Sequence, residues 1–202
     1  MCKALLLDYD GTLLDSFSAQ YLGTRNVFSN CGVQPPDFES FCRTYESPIE
    51  DFYNKHGITV ASKDIYRWYL EVVETENSSF FPDVEEVIKY ISERGVKIGI
   101  VSGNDGVEIE RRCGEICLHK YLQSIHGHVP IKTESIVDFC RQHNVRLGDA
   151  YYVGDAISDM RDAKNAGVVA VGMMRGKPIL DVLKQHGADY VINDLYGLLD
   201  LL

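Results

Sequence analysis

The sequence predicts an α/β fold, a doubly wound parallel sheet with an all-helical insertion after its first strand. Three observations predict it. The chain opens with an apolar run, Ala4 to Leu7, followed at once by Asp8, Tyr9, Asp10, Gly11 and Thr12. After Pro82, short apolar runs alternate with amphipathic helical patterns, as strands buried on both faces and their crossover helices do. Between them, Ser16 to about Phe81 is aromatic, polar and helical in period, with no convincing strand.

The elements follow in order. Residues 3–9 read as strand one. Pro35-Pro36, Ser47-Pro48 and His56-Gly57 mark breaks between short helices in the insertion. Asp83 is placed to cap a helix carrying Val84, Val87, Ile88 and Ile91 on one face, with Gly95 ending it. KIGIVS (97–102) is a strand, and a helix near Gly106–Cys113 follows. Ser124–His128 reads as a strand, with Thr133 capping a helix through Gln142. AYYVG (150–154) is a strand, Ser158–Ala166 a helix closed by Gly167, and Val168–Val171 a strand. Pro178 opens a helix ending at Gly187, Tyr190–Ile192 is a last short strand, and 195–202 a last helix. The body is therefore 1–15 and 82–202, and the helical insertion 16–81.

Composition excludes some functions. With 202 residues, 45% hydrophobic and 25% charged, the chain is ordinary globular material for one domain plus an insertion. A net charge of -10 disfavours general attraction to nucleic acid or anionic lipid, though a local cation can still hold a small anion. No apolar run approaches membrane-spanning length. With no leader pattern before Lys3, the six scattered cysteines read as reduced thiols in a cytoplasmic protein.

Ligands of a doubly wound sheet bind beyond the carboxyl ends of its strands. Asp8 and Asp10 lie at the end of strand one. Ser102, Gly103 and Asn104 end the KIGIV strand. Lys132 lies past the third strand, Asp155 follows AYYVG, and Asp159 comes four residues later. All fall on one edge. Four carboxylates there would repel strongly in a low dielectric. Mg²⁺, a hard cation suited to a few carboxylates, waters and phosphate oxygens, relieves this. A hydroxyl, glycine-flanked N–H groups and a lysine facing it would cradle a phosphoryl group. Asp8 can then be a nucleophile forming an aspartyl-phosphate, and Asp10 the acid and base, its proton affinity lifted by neighbouring carboxylates.

These four segments, DYDGTL at 8–13, VSGN at 101–104, Lys132 and GDAISD at 154–159, resemble the four motifs of the haloacid dehalogenase superfamily of phosphatases, in order and spacing. The resemblance implies Asp8 as nucleophile, Asp10 as general acid/base, and Ser102 and Lys132 on the phosphate. It implies Mg²⁺ held by Asp8, the Asp10 carbonyl, Asp155 and Asp159, the last directly or through water. Asp10 favours phosphoryl transfer, because the dehalogenases lack it. Thr133 departs from the family, which often follows the motif lysine with proline. The insertion resembles a helical cap of the first type, with hinges near Asp15-Ser16 and Phe81-Pro82. Arg25, Arg43, Tyr45, Arg67 and Trp68 are its candidate substrate contacts. The expected reaction is hydrolysis of a small phosphorylated metabolite, a phosphoglycolate-like monoester, and a cap arginine on a substrate carboxylate would support that class.

Three rivals stay open. A phosphomutase on the same scaffold usually carries a cap histidine soon after the first motif, where this chain reads SFSAQYLGTRN. A receiver-type signalling module also gathers acids, a hydroxyl and a lysine at strand ends, but lacks such an insertion. A silent binding protein would not need the full acid set. Bland readings attach to other residues. Cys113, Cys117 and His119 lack a fourth zinc ligand nearby and read as structural. His126 and His128 read as ordinary strand-end histidines, and Asp159 could be only a helix-start charge.

Overall fold

The computed structural model describes residues 3–202. Cys2 falls outside them. Six parallel strands run in the order β3-β2-β1-β4-β5-β6: β1 (Ala4–Leu7), β2 (Lys97–Val101), β3 (Ser124–His126), β4 (Ala150–Gly154), β5 (Val169–Met173) and β6 (Tyr190–Ile192). The chain winds outward from β1 on one side and from β4 on the other, so the order reverses between these two neighbours. Their register pairs Leu7 with Val153, which sets Asp8 beside the end of β4.

Alternate residues of β1 feed two cores. Leu5 and Leu7 pack with α5 (Val84–Glu93) and α6 (Gly106–Glu115), whose Val84, Val87, Ile88, Ile91, Ile109 and Cys113 are buried. Ala4 and Leu6 pack with α7 (Thr133–Gln142), α8 (Ile157–Ala166) and α9 (Leu180–Gln185) through Phe139, Met160, Ala163 and Leu183. The sheet is thus covered on both faces, as its unbroken apolar strands require.

The insertion holds four helices, α1 (Phe17–Asn30), α2 (Phe38–Thr44), α3 (Ile49–Lys55) and α4 (Ser62–Val73). They have a separate core of Val27, Phe28, Phe41, Phe52, Tyr53, Ile58 and Ile65. The two connecting segments run side by side, with Asp15 N–H donating to Ser79 O and Phe81 N–H to Leu13 O. The expected hinges fall on this pair of segments. Bonds from Ser47 N–H to Ser158 Oγ (3.3 Å), Ser47 Oγ to Pro130 O (3.1 Å) and Arg43 to Pro178 O (2.9 Å) and Asp181 (3.1 Å) hold the insertion against the body.

Several boundaries differ from the sequence reading, for local reasons. Strand one stops at Leu7, because Asp8 to Leu14 turns on itself: the N–H groups of Leu13 and Leu14 both donate to Tyr9 O. Asp83 makes no cap bond to α5. Its carboxylate is taken by Arg175 Nη1 and Leu195 N–H, each within 2.9 Å. Thr133 is the first helical residue of α7, and Lys132 holds the cap position. The helix expected from Pro178 starts at Leu180, and the last helix is a single 3₁₀ turn, Leu195–Leu198.

Candidate active site

The acids gather where the strand order reverses. Asp8 follows β1 and Asp155 follows β4, while Asp159 sits in the first turn of α8. Oxygens of these three carboxylates lie within 4.8 Å of one another, the only such cluster of metal-ligating side chains among the described residues. Cys113, Cys117 and His119 form none. The chain geometry that permits this depends on two glycines. Gly11 has φ +70°, and a Cβ there would lie 2.2 Å from Asp155 Oδ2. At Gly154 a Cβ would sit 2.3 Å from the Asp159 carboxyl carbon. A side chain at either position would displace an acid.

Lys132 is buried and bridges two of the acids, with Nζ 2.8 Å from Asp8 Oδ1 and 2.7 Å from Asp159 Oδ1. Burial alone would lower its proton affinity, but Asp159 and Asp8 outweigh that and raise it. Thr133, the departure from the motif, has a partner of its own. Asp162 accepts from Thr133 Oγ1 (3.1 Å) and from Lys132 N–H (2.9 Å), so a buried carboxylate fixes the backbone that presents the lysine. Asp159 is fully buried and also accepts from Tyr152 Oη (3.2 Å) and Ala156 N–H (2.9 Å).

Asp8 and Asp10 are two residues apart yet sit in different surroundings. Asp8 Oδ1 takes Lys132 and the Tyr9 N–H (2.7 Å), and Oδ2 takes neither. Burial lifts its carboxyl well above the ordinary range, Lys132 opposes, and Asp159 and Asp155 add to the rise. Asp10 lies outside the three-acid cluster. It accepts from Ser16 Oγ (2.7 Å) on Oδ1 and from Asn104 Nδ2 (2.9 Å) on Oδ2. Burial raises its pKa, and these two neutral donors only partly offset that. Gln20 of α1 donates to Ser16 Oγ at 2.9 Å, so the insertion reaches the Asp10 carboxylate through one hydroxyl.

Ser102, Gly103, Asn104 and Lys132 line one cavity of about 240 Å³ together with Asp8, Asp10, Asp155 and Asp159. It is smaller than the roughly 300–1,000 Å³ of drug-sized sites. All eight residues expected at the site are therefore together. Ser102 Oγ accepts the Asn104 N–H (3.1 Å), which leaves the hydroxyl proton to donate elsewhere.

The insertion's candidates divide. Tyr45 lines the cavity. Arg43 reaches Asp181, Arg67 pairs with Asp64 over the Trp68 ring, and Arg25 lies over Tyr21. Trp68 packs on the insertion core. Sequence reasoning missed Lys177, whose ammonium pairs with Asp155 and lies 4.0 Å over the Phe17 ring. Burial lifts the Asp155 carboxyl and Lys177 opposes that rise. Lys177 follows the end of β5, so the strand-end rule applied to that strand would have found it.

Across residues 5–173 the sequence matches the model of the haloacid dehalogenase-like hydrolases. The chain belongs to this family. Among relatives, a Clostridium perfringens protein carrying the provisional name pyrophosphatase PpaX is 24% identical, the alignment covering 100% of this chain and 97% of the relative. A phosphoglycolate phosphatase of Rhodobacter capsulatus is also 24% identical, covering 99% and 98%. A haloacid dehalogenase-like hydrolase structure from Streptococcus pneumoniae superposes with a TM-score of 0.79 at 20% identity, covering 99% of this chain and 98% of that one. At that identity the structural likeness speaks for the fold.

Proposed function

We propose that the protein is a Mg²⁺-dependent phosphatase that hydrolyses small phosphate monoesters through an aspartyl-phosphate on Asp8. The observation that carries this reading is the convergence of Asp8, Asp155 and Asp159 within 4.8 Å, with Lys132 bridging two of them, in a cavity that Asp10 and Ser102 also line. The named activities of the relatives, phosphoglycolate phosphatase and pyrophosphatase, support phosphoryl transfer to water. The small cavity supports a small substrate.

The donor set fits a hard divalent cation. It is all oxygen, it is crowded with acids, and two ammonium groups already neutralise it in part. Asp8, Asp155 and the Asp10 carbonyl would hold Mg²⁺, with Asp159 direct or through water. When bound, the ion offsets charge on the phosphoryl oxygens. In this reading Ser102, the backbone at Gly103 and Asn104, and Lys132 orient the phosphate. Asp8 attacks phosphorus, the bond to the leaving oxygen breaks, and Asp10 gives that oxygen its proton. Asp10 then takes a proton from the water that attacks the acyl-phosphate, releasing inorganic phosphate and restoring Asp8. Residues 16–81 act as a cap that excludes bulk water, and 1–15 with 82–202 form the catalytic body.

Phosphate release from a monoester, with Mg²⁺ and with a chelator, tests the reading. Asp8→Asn should abolish release while leaving the far-ultraviolet circular dichroism unchanged. Acid quench and peptide mass mapping should find phosphate on Asp8. Turnover without a bisphosphate activator separates a phosphatase from a phosphomutase. Full activity of Asp8→Asn would refute the nucleophile.

A further inference from the structure

The insertion supplies much of the cavity wall, most of it aromatic or aliphatic. Along α4, Tyr66, Leu70 and Val73 recur at helical spacing and all line the cavity, joined by Tyr69. Tyr66 is 43% and Leu70 40% exposed, so these two side chains are not spent on packing, whereas Tyr69 also packs on the insertion core. Tyr45 lines the same cavity. Gln20 adds an amide.

Cations are missing from this wall. The five basic residues between 16 and 81 are Arg25, Arg43, Lys55, Lys63 and Arg67, and none lines the cavity. Arg43, Lys55 and Arg67 are paired with Asp181, Glu46 and Asp64. The one charged insertion residue in the lining is Glu46, a buried acid that Lys55 and Arg161 (3.6 Å) neutralise. Among the described residues the one cation in the lining is Lys132, already between Asp8 and Asp159. A carboxylate or second phosphate on the far half of a substrate would meet phenol rings, aliphatic carbon and an acid, with no partner for its charge.

We propose that the alcohol half of the substrate carries no anionic group and lays an apolar or ring face against Tyr45, Tyr69 and Leu70. Its hydroxyls or ring heteroatoms bond to the Tyr69 hydroxyl and the Gln20 amide. This rests on the phosphatase reading and narrows it to monoesters of uncharged alcohols.

The test is phosphate release under Mg²⁺ from two sets of probes. Phenyl phosphate, glycerol 2-phosphate and ribose 5-phosphate have uncharged alcohols. 2-Phosphoglycolate, 3-phosphoglycerate and inorganic pyrophosphate carry a second anion. The best uncharged ester should exceed the best anionic one by at least about tenfold in kcat/KM, chiefly through KM. Tyr66→Arg, at a half-exposed position, should narrow that ratio by lowering KM for 2-phosphoglycolate. An anionic probe preferred by the wild-type enzyme overturns this inference and leaves the phosphatase reading standing. A ratio that Tyr66→Arg leaves unchanged also overturns it, since the wall would not be reading charge. No release from any probe overturns the phosphatase reading itself.

Discussion

Replacing Lys132 by methionine keeps the aliphatic stem and removes one charge. In the metal-free protein that charge lies 2.8 Å from Asp8 Oδ1 and 2.7 Å from Asp159 Oδ1, at a side chain only 5% exposed. Breaking a buried pair by deleting one partner typically costs about 3–5 kcal/mol. The protein has one escape, which is to protonate an orphaned acid. From a solution pKa near 3.9 and 1.36 kcal/mol per pH unit, binding that proton costs about 4 kcal/mol at pH 7 but only about 1.5 kcal/mol at pH 5. The sign follows from linkage. A carboxyl whose folded pKa is raised keeps its full contribution below the unfolded value, and loses it as pH rises through the folded one. The deficit of the variant should therefore grow with pH.

For a chain of this size each kcal/mol moves Tm by roughly 2–4 °C. Lys132→Met in a chelating buffer should melt roughly 3–6 °C below wild type at pH 5, and roughly 8–16 °C below at pH 7. Scanning calorimetry of both proteins at both pH values reads this directly. If the proposed Mg²⁺ site is right, the ion should recover part of the pH 7 loss, because it would bind only the folded acids. A deficit that does not change between pH 5 and pH 7 would refute the argument that unpaired acids set the cost.

Three further outcomes follow from contacts elsewhere. Gly11→Ala must place a Cβ 2.2 Å from Asp155 Oδ2 at φ +70°, so urea unfolding should lose at least about 2 kcal/mol and phosphate release should fall with it. Arg175→Met leaves Asp83 buried without its arginine and frees Thr12 O, which holds the turn after β1; the loss in urea should be about 3–5 kcal/mol. Asp189 is lowered in pKa because bonds from Lys164 and the Ala170 N–H outweigh its partial burial. Its contribution is present above the unfolded pKa and disappears as pH falls through the folded one, so Asp189→Asn should melt below wild type at pH 7, with the gap closing below about pH 4.

The sheet and the polar ends of its strands were readable for a single reason. A parallel strand buried on both faces is a continuous apolar run, so KIGIV and AYYVG each announce where they stop, with the first polar residue after each stop on the same edge, whereas the strand expected over Val168–Val171 runs on to Met173. What linear spacing does not carry is which distant residue claims a side chain. Asp83 has the position of a helix cap, but Arg175 arrives from ninety-two positions away and takes it. Thr133 looked like a departure from the motif, and its partner Asp162 is on the following helix. The same holds for the arginines of the insertion. Four helices with one aromatic core place their faces by packing, and Arg43 lands on the body at Asp181 instead of in the cavity.

The chain opens with two acids separated by one residue, and their surroundings differ. Strand alternation would set Asp8 and Asp10 on one face, but the strand ends at Leu7 and the turn through Gly11 parts them. Asp8 stays among Asp155, Asp159 and Lys132, and the Lys132 ammonium and the Tyr9 N–H offset its charge. Asp10 meets the Ser16 hydroxyl and the Asn104 amide. Burial lifts both carboxyls above the ordinary range, that of Asp8 against the opposition of Lys132 and that of Asp10 against its hydroxyl and amide donors. On the proposed mechanism, the upward shift of the buried Asp10 carboxyl suits a group that gives and takes a proton. Because Ser16 is itself held by Gln20 of α1, the insertion steadies one of the hydrogen bonds that oppose the rise in Asp10 proton affinity.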